Sequence, residues 1–268
     1  MADIRSKLNE MYSLEQLAAG RTAVHRLHPA VKIIVTVIYI LCVVSLERHA
    51  LGRLAPFLIY PAVVMAAADI PYRMIIPRAA AALPFCIFAG MSNLIIEREP
   101  WTRLGALTLT AGEMSFLVLL ARTVLCVSAV LILVAVTPFS ELTGQLRRMH
   151  VPAVFVRLFE MIYRYISVLV EEASTMLTSY RLRAGGAKWP DIKHFGAFIG
   201  QLLLRSVDRA ERVYHAMLCR GYSFDTAAGT RRRMTAGDLA FITIAGGSAV
   251  IFRIVDISFF IGDLLILS

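Results

Sequence analysis

The chain has 268 residues, of which 58% are hydrophobic, and its formal net charge is +9 at pH 7. A mean hydropathy of +0.67 and long apolar runs exclude an ordinary soluble domain, because no core of that size could bury them. The basic residues flank apolar segments instead of forming a groove with interleaved aromatic residues, which argues against nucleic-acid binding and favours a multi-pass membrane protein.

The first thirty residues are polar and charged, and they predict a cytoplasmic N-terminal segment, 1–30. No cleavable signal peptide is visible, so the first apolar run is expected to stay as a membrane helix. Basic residues continue up to Lys32, in agreement with a cytoplasmic position. The four cysteines are scattered without CxxC spacing, which is typical of small buried hydrophobic residues.

Four apolar runs between residues 31 and 136 are long enough, or nearly so, to cross a bilayer core of about 30 Å as helices. They are Val31–Leu46, Leu54–Ala68, Ala79–Ile96 and Phe116–Val136. Prolines in the second run (Pro56, Pro61) and in the third (Pro84) predict kinks. A polar, turn-rich connection with Trp101 separates the third run from the fourth.

The fourth run contains Arg122, six residues inside its start. An arginine roughly 9 Å deep in a helix is expected to extend its guanidinium toward the surface, which is a structural role. A functional role in the membrane is the alternative.

A polar segment interrupts the apolar sequence after these runs. Pro138 to Arg233 carries 15 of the 28 Lys and Arg residues and 8 of the 19 acidic ones. The positive-inside rule places this segment in the cytoplasm. Residues 237–268 then supply at least one more span, Asp238–Phe252, while Arg253 and two aspartates argue against a second full crossing up to Leu267.

The predicted fold is therefore an all-α polytopic membrane protein with about five transmembrane helices and a cytoplasmic helical coupling region between the fourth and the last. The boundaries are 1–30, four transmembrane helices in 31–136, the coupling region in 137–236, and a C-terminal transmembrane segment in 237–268.

Two long helices are predicted inside the coupling region. From Val154 to Arg183 the polar residues recur at alternating spacings of three and four, which is one stripe of a helix. The competing interpretation is a sixth transmembrane helix at Ala153–Val170, although its charged residues would then need partners in hydrocarbon. A second amphipathic helix runs to Gly221.

Each of these helices ends in an arginine followed by a small residue, Arg183-Ala184 and Arg220-Gly221. The planar guanidinium can bind carboxylates or carbonyls in a pocket of another protein, and the small neighbour permits close approach. Compensation of the helix dipole is the alternative.

Several blocks of sequence resemble the transmembrane T component of energy-coupling factor (ECF) transporters, specifically the cobalt-type CbiQ family. They are His25-Arg26-Leu27 through Pro29 and Lys32, TPFSELTGQLRRMHVP at 137–152, MIYRYISVLVEEASTM at 161–176, YRLRAGG at 180–186 and LLLRSVDRAERVYHAMLCRGYSF at 202–224. The resemblance covers most of the chain.

The resemblance implies a scaffold in the bacterial cytoplasmic membrane that joins a substrate-capturing, CbiM-like membrane subunit, with or without a small accessory membrane subunit, to two ABC-type ATPases. Two signatures, Leu182-Arg183-Ala184 and Cys219-Arg220-Gly221, would dock one into each ATPase. The family pattern is most often Ala-Arg-Gly, so Ala184 and Cys219 are departures, and His28 stands where Asp is common.

The chain itself is expected to be neither an enzyme nor a holder of a cofactor, since it has no GxxxxGK[ST] loop and no catalytic motif. ATP would be used by the partner subunits. A metal site at His25-x-x-His28 is conceivable by spacing, but Pro29 follows directly and the motif precedes a membrane helix, so no metal is expected. Cobalt, nickel or a vitamin as substrate, and an independent secondary transporter, stay open.

Overall fold

The computed structural model describes residues 17–20, 22–47, 51–96, 100–104, 107–148, 151–185, 191–222 and 234–254. Almost all of the regular structure in these ranges is helical, which confirms the all-α prediction. The helices are α1 (Pro29–Val44), α2 (Leu51–Leu54), α3 (Ile59–Ala67), α4 (Tyr72–Ala80), α5 (Leu83–Ile96), α6 (Ala111–Val136), α7 (Phe139–Arg148), α8 (Ala153–Arg183), α9 (Ile192–Cys219), α10 (Ala236–Phe241) and α11 (Gly247–Ile254).

Three helical stretches of the described residues are long and apolar enough to cross a membrane: Tyr72–Ser92, α6 and Ala236–Ile254. Two shorter apolar helices, α1 and Leu51–Ala67, lie where the first two spans were predicted. These five segments make the chain a multi-pass membrane protein. The long helix α8 is not among them, so a sixth span at residues 153–170 gains no support.

Prolines set the detailed shape of the second and third segments. Pro56 lies in a short 3₁₀ helix, Ala55–Leu58, between α2 and α3, where the predicted kink falls. The third segment begins at Tyr72, earlier than the predicted Ala79, and is broken between α4 and α5. Pro84 occupies the first turn of α5, a position where a missing N–H costs nothing.

The connection between the third and fourth segments contains two short antiparallel strands, β1 (Pro100–Leu104) and β2 (Leu107–Thr110). Thr102 pairs with Leu109, and Leu104 pairs with Leu107. The sequence predicted only a turn-rich connection here, because polar residues dominate this stretch. The threonines and leucines among them favour paired strands.

Contacts divide the chain into two compact units. The larger unit comprises Leu14–Phe139 and Arg232–Ser268, and the smaller comprises Met1–Ser13 and Ser140–Arg231. The larger unit holds two clusters of buried apolar side chains, one around Tyr39, Phe57 and Leu125 and the other around Val64, Ile75 and Ile132. Its five apolar segments therefore bury a common core.

Two arginines close the far end of α1 in the larger unit. Arg122 Nη2 donates to the carbonyl of Leu46 at 2.7 Å, and Arg253 Nη2 donates to the carbonyl of Ser45 at 3.1 Å. Both carbonyls follow the last turn of α1, where backbone acceptors lack helical partners and a cation is favourable. Arg122 thus has the structural role expected for it.

The last apolar segment is interrupted by one π-helical turn, Ile242–Gly246, between α10 and α11. It begins at Ala236 and reaches Ile254, close to the predicted Asp238–Phe252. The predicted continuation to Leu267 lies outside the described residues.

Candidate coupling site

The smaller unit is built on two long helices, α8 of 31 residues and α9 of 28 residues. At 1.5 Å per residue they are about 46 Å and about 42 Å long. The polar stripe read from Val154 to Arg183 predicted α8 to within one residue. Residues 186–190, which connect the two helices in sequence, lie outside the described residues.

Side-chain contacts show that α8 and α9 run antiparallel. Near one end, the Tyr180 and His194 rings lie 6.4 Å apart. In the middle, the Glu172 carboxylate accepts from Arg205 at 2.5 Å and pairs with Arg209 at 3.5 Å. The contacting residues of α8 thus become earlier in sequence as those of α9 become later, which is the arrangement of an α-helical hairpin.

The start of α8 is tied to residues on both sides of it. The Arg157 guanidinium lies 5.6 Å from the centre of the Tyr222 ring, a cation–π contact with the segment that follows α9. Arg157 also pairs with Glu160 at 3.0 Å, and Glu160 accepts from the Thr143 hydroxyl of α7 at 3.4 Å. One polar cluster thus joins α7, α8 and the end of α9.

The first arginine signature forms the tip of α8. Arg183 is the last helical residue and Ala184 is the cap, whose N–H donates to the Tyr180 carbonyl at 2.8 Å. Gly185 follows with φ of 62°, the left-handed conformation that ends many helices and favours glycine. Leu182 is 81% exposed, so an apolar side chain stands in solvent beside the arginine.

The second signature forms the tip of α9 and is closed by a Schellman motif. Cys219 is the last helical residue, Arg220 is the cap and Gly221 has φ of 70°. The N–H of Gly221 donates to the Leu218 carbonyl at 2.9 Å, and that of Tyr222 donates to the Met217 carbonyl at 3.0 Å.

The two arginines do not occupy equivalent positions on their helices. Counted from the left-handed glycine, Arg220 is one residue away and Arg183 is two residues away. One residue on a helix is about 100° of rotation and 1.5 Å of rise. The capping glycine thus lies one residue further from the arginine at the end of α8, at Gly185, than at the end of α9, at Gly221.

The hairpin keeps the two signatures apart. Arg183 lies 26 residues after Arg157 on α8, or about 39 Å along the axis, and Arg157 contacts Tyr222, two residues after Arg220. The six signature residues are all exposed: Leu182, Arg183, Ala184, Cys219, Arg220 and Gly221. Two arginine tips accordingly stand at opposite ends of one hairpin. Their role in docking stays a prediction.

The larger unit contains a buried polar junction that the sequence analysis missed. Lys32 is 2% exposed, and its ammonium donates to the carbonyl of Val136 at 2.8 Å and to that of His25 at 3.0 Å. Val136 is the last residue of α6, so Lys32 closes the C-terminal end of that helix. The sequence did contain one indication of this junction: Lys32 lies inside an apolar run, about one turn after the start of α1.

Asp238 is the second charged residue of this junction and is also 2% exposed. Its Oδ1 accepts from the backbone N–H of His28 at 2.6 Å. Its Oδ2 accepts from the N–H and the hydroxyl of Thr235 at 2.7 Å and 2.9 Å. This capping box starts α10 and ties it to the start of α1.

The two histidines of the His25-x-x-His28 motif serve local structure. His28 is the N-cap of α1, and its Nδ1 accepts from the Ala30 N–H at 3.2 Å. His28 thus provides the capping acceptor that Asp would provide in the family pattern. The His25 Nδ1 lies 2.7 Å from the Thr22 hydroxyl.

An apolar groove of about 800 Å³ also lies in the larger unit, between α1, α3 and the last apolar segment. Aromatic side chains such as Tyr39, Tyr60 and Phe252 contribute to its lining. Small residues of the last segment also line it: Gly237, Ala240, Ala245, Ser248 and Ala249. Small residues permit the close backbone approach on which helix association in lipid depends.

Comparison with known proteins matches residues 20–228 to the family described as CbiQ, cobalt transport protein. The chain is 30% identical to a putative fused cobalt transport protein CbiMQ of Methanocorpusculum labreanum, over 53% of this chain and 24% of that protein. It is 34% identical to the cobalt transport protein CbiQ of Rhodobacter capsulatus, over 34% of this chain and 37% of that one. The chain thus spans well under half the length of these curated relatives.

Proposed function

Because the chain belongs to the CbiQ family of cobalt transport proteins, we propose that it is the transmembrane coupling subunit of an ECF-type importer for cobalt. In this role it transmits conformational change from two ABC-type ATPases to a substrate-capturing membrane subunit. The observation that carries the proposal is the pair of exposed arginine tips at opposite ends of the α8–α9 hairpin.

The separation of the tips suits two partners better than one. About 39 Å between Arg183 and the Arg157–Tyr222 contact exceeds the reach of a single docking pocket. Each tip offers a guanidinium beside a small residue, Ala184 or Gly221, at a tight helix end, which fits an acidic or carbonyl-lined cleft. One tip would enter each ATPase, and closure of the ATPases on ATP would move the two ends relative to one another.

The internal contacts of the hairpin support its use as a lever. Glu172 bridges Arg205 and Arg209 near its middle, and Arg157 holds Tyr222 at one end. These contacts are partly exposed, so each contributes little to stability. Such a hairpin keeps its shape along its length, while its crossing angle changes at a low energetic cost.

The membrane partner would pack in the apolar groove of the larger unit. Its small residues, Ala245 and Ser248 among them, admit a neighbouring helix. A fused cobalt transport protein named CbiMQ among the relatives supports a CbiM-like partner. ATP would be hydrolysed by the partner ATPases, and selectivity for cobalt over nickel or a vitamin would reside in the substrate-capturing subunit.

The proposal is tested by reconstitution. The chain is co-expressed with ABC ATPases and a CbiM-like protein of its source organism, purified through a tag on this chain, and placed in proteoliposomes with ATP. We expect the subunits to co-purify and radioactive cobalt to accumulate only when ATP and all subunits are present. Uptake by this chain alone would instead support an independent secondary transporter and overturn the proposal.

A further inference from the structure

The chain leaves the larger unit after Phe139 and returns to it at Arg232. The last membrane residue before departure is Val136, and the first helix after the return is α10, capped by Thr235 and Asp238. The backbone connects the coupling helices to the membrane helices through these two stretches. Their attachment inside the larger unit therefore decides which helices move.

Both stretches are held by the same short segment at the start of α1. On the departing side, Lys32 bonds the carbonyl of Val136, a residue 104 positions away. On the returning side, the N–H of His28 bonds Asp238, a residue 210 positions away. Two residues of one five-residue segment, His28 and Lys32, thus connect the start of α10 and the end of α6 to α1.

The burial of these bonds makes the connection stiff. Lys32, His28 and Asp238 are each no more than 2% exposed, so water does not compete for their hydrogen bonds. The ammonium and the carboxylate each make at least two of them. A buried charge that lost its partners would be strongly unfavourable, which discourages partial opening of the junction.

On the basis of the proposed coupling function, we infer that Lys32 and Asp238 are positioning residues. Their buried hydrogen bonds to the ends of α6 and α10 form a rigid connection, which we call the clamp. The clamp makes the start of α1, the end of α6 and the start of α10 respond as one body when the coupling helices move. Without it, the backbone at Val136 and Thr235 yields locally, and the ATPases hydrolyse ATP without moving α1.

The test compares Lys32→Met and Asp238→Ala with a matched variant, Arg122→Met. Arg122 also places a cation on a carbonyl beyond a membrane helix, that of Leu46, but at the far end of α1. All three are assembled with the ATPases and the substrate-capturing subunit in proteoliposomes. Cobalt uptake and ATP hydrolysis are measured in the same vesicles, together with co-purification of the ATPases and the melting temperature in detergent.

For Lys32→Met and Asp238→Ala we expect uptake per ATP hydrolysed to fall by about tenfold, within the usual range for coupling between distant sites. Co-purification of the ATPases should stay at the wild-type level, and Arg122→Met should keep the wild-type ratio of uptake to hydrolysis. Lys32→Arg preserves a buried donor and should restore most of the coupling, which separates the clamp from a general loss of folding.

Wild-type uptake per ATP in a folded Lys32→Met protein, or an equal loss in Arg122→Met, would overturn the clamp. Failure of the wild-type chain to bind ATPases would instead overturn the proposed function, so the two failures are distinguishable. If Lys32→Met and Asp238→Ala both fail to assemble, cobalt uptake per ATP hydrolysed is compared in Lys32→Arg and Asp238→Asn instead. A wild-type value in Asp238→Asn together with a tenfold loss in Lys32→Arg would contradict a clamp that the two residues share.

Discussion

Removal of the two arginines one at a time gives the sharpest test of the docking geometry. The variants are Arg183→Ala, Arg220→Ala and the double substitution. A hydrogen bond to a charged group contributes about 1.5–3 kcal/mol, so each loss should weaken ATPase binding by about 10- to 150-fold, at 1.4 kcal/mol per tenfold. Arg183 lies about 39 Å from the Arg157–Tyr222 contact beside the other tip, so the two losses should add when the two ATPases bind as a dimer.

The double variant should accordingly lose about 3–6 kcal/mol of binding free energy, or about two to four powers of ten in Kd. Binding is measured by biolayer interferometry, with the chain in nanodiscs and the ATPases in solution, at two salt concentrations. Because the proposed contacts are charged and exposed, wild-type affinity should decline as salt increases.

The matched control is Arg181→Ala with Arg212→Ala. These arginines lie on the same two helices, two and eight residues before the signature arginines; Arg181 is half-buried and Arg212 is exposed. Neither belongs to a signature, so the pair should leave affinity within about threefold, since a charge that stays in contact with water contributes well under 1 kcal/mol. Equal affinity of the double variant and the weaker single variant would show that only one tip docks. A control that weakens binding as much as the signatures do would refute a specific role for the tips.

Three further substitutions test the hairpin and the groove. Gly185→Ala should lower the melting temperature in detergent, because a residue with a Cβ costs about 1–2 kcal/mol in the left-handed conformation that Gly185 has at φ of 62°. The control Gly144→Ala, inside α7 with open space around it, should raise stability by about 0.5–1 kcal/mol. A stability change of the same sign in both variants would contradict the role of Gly185 as a helix cap. Glu172→Gln should lower the free energy of unfolding by less than about 1 kcal/mol, since the arginine partners of Glu172 are 49% and 38% exposed. A loss above about 3 kcal/mol in a thermal or denaturant melt would show that these ion pairs are buried, against this expectation. Ala245→Leu should reduce co-purification of the CbiM-like subunit but not of the ATPases, and Ala66→Leu, exposed outside the groove, should change neither.

The helical segments and the arginine signatures were predictable because their signals are local. Apolar runs of sufficient length gave five membrane segments, and the alternating three- and four-residue spacing from Val154 to Arg183 gave α8 almost to the residue. The glycine after each helix marked its end. The third segment begins earlier than its predicted start at Ala79, because α4 extends back to Tyr72 and accommodates Pro77 within it.

Pairing across the chain is what local patterns could not provide. The opposite placement of Arg183 and Arg220 depends on α8 and α9 folding back on one another, and only contacts such as Glu172 with Arg205 show that register. Lys32 looked like one more basic residue before a membrane helix. Its bond to Val136 arises because helices distant in sequence end at the same place.

The amino-acid order thus specified which segments enter the membrane, which stay polar and where each long helix stops, because length, periodicity and capping act within a few residues of the backbone. The folded chain decided which helix ends meet, that Lys32 and Asp238 are buried together with the ends of α6 and α10, and that the arginine tips diverge. Those outcomes depend on packing between residues that are 33 to 210 positions apart, and the sequence around each partner carries no local signature of the pairing.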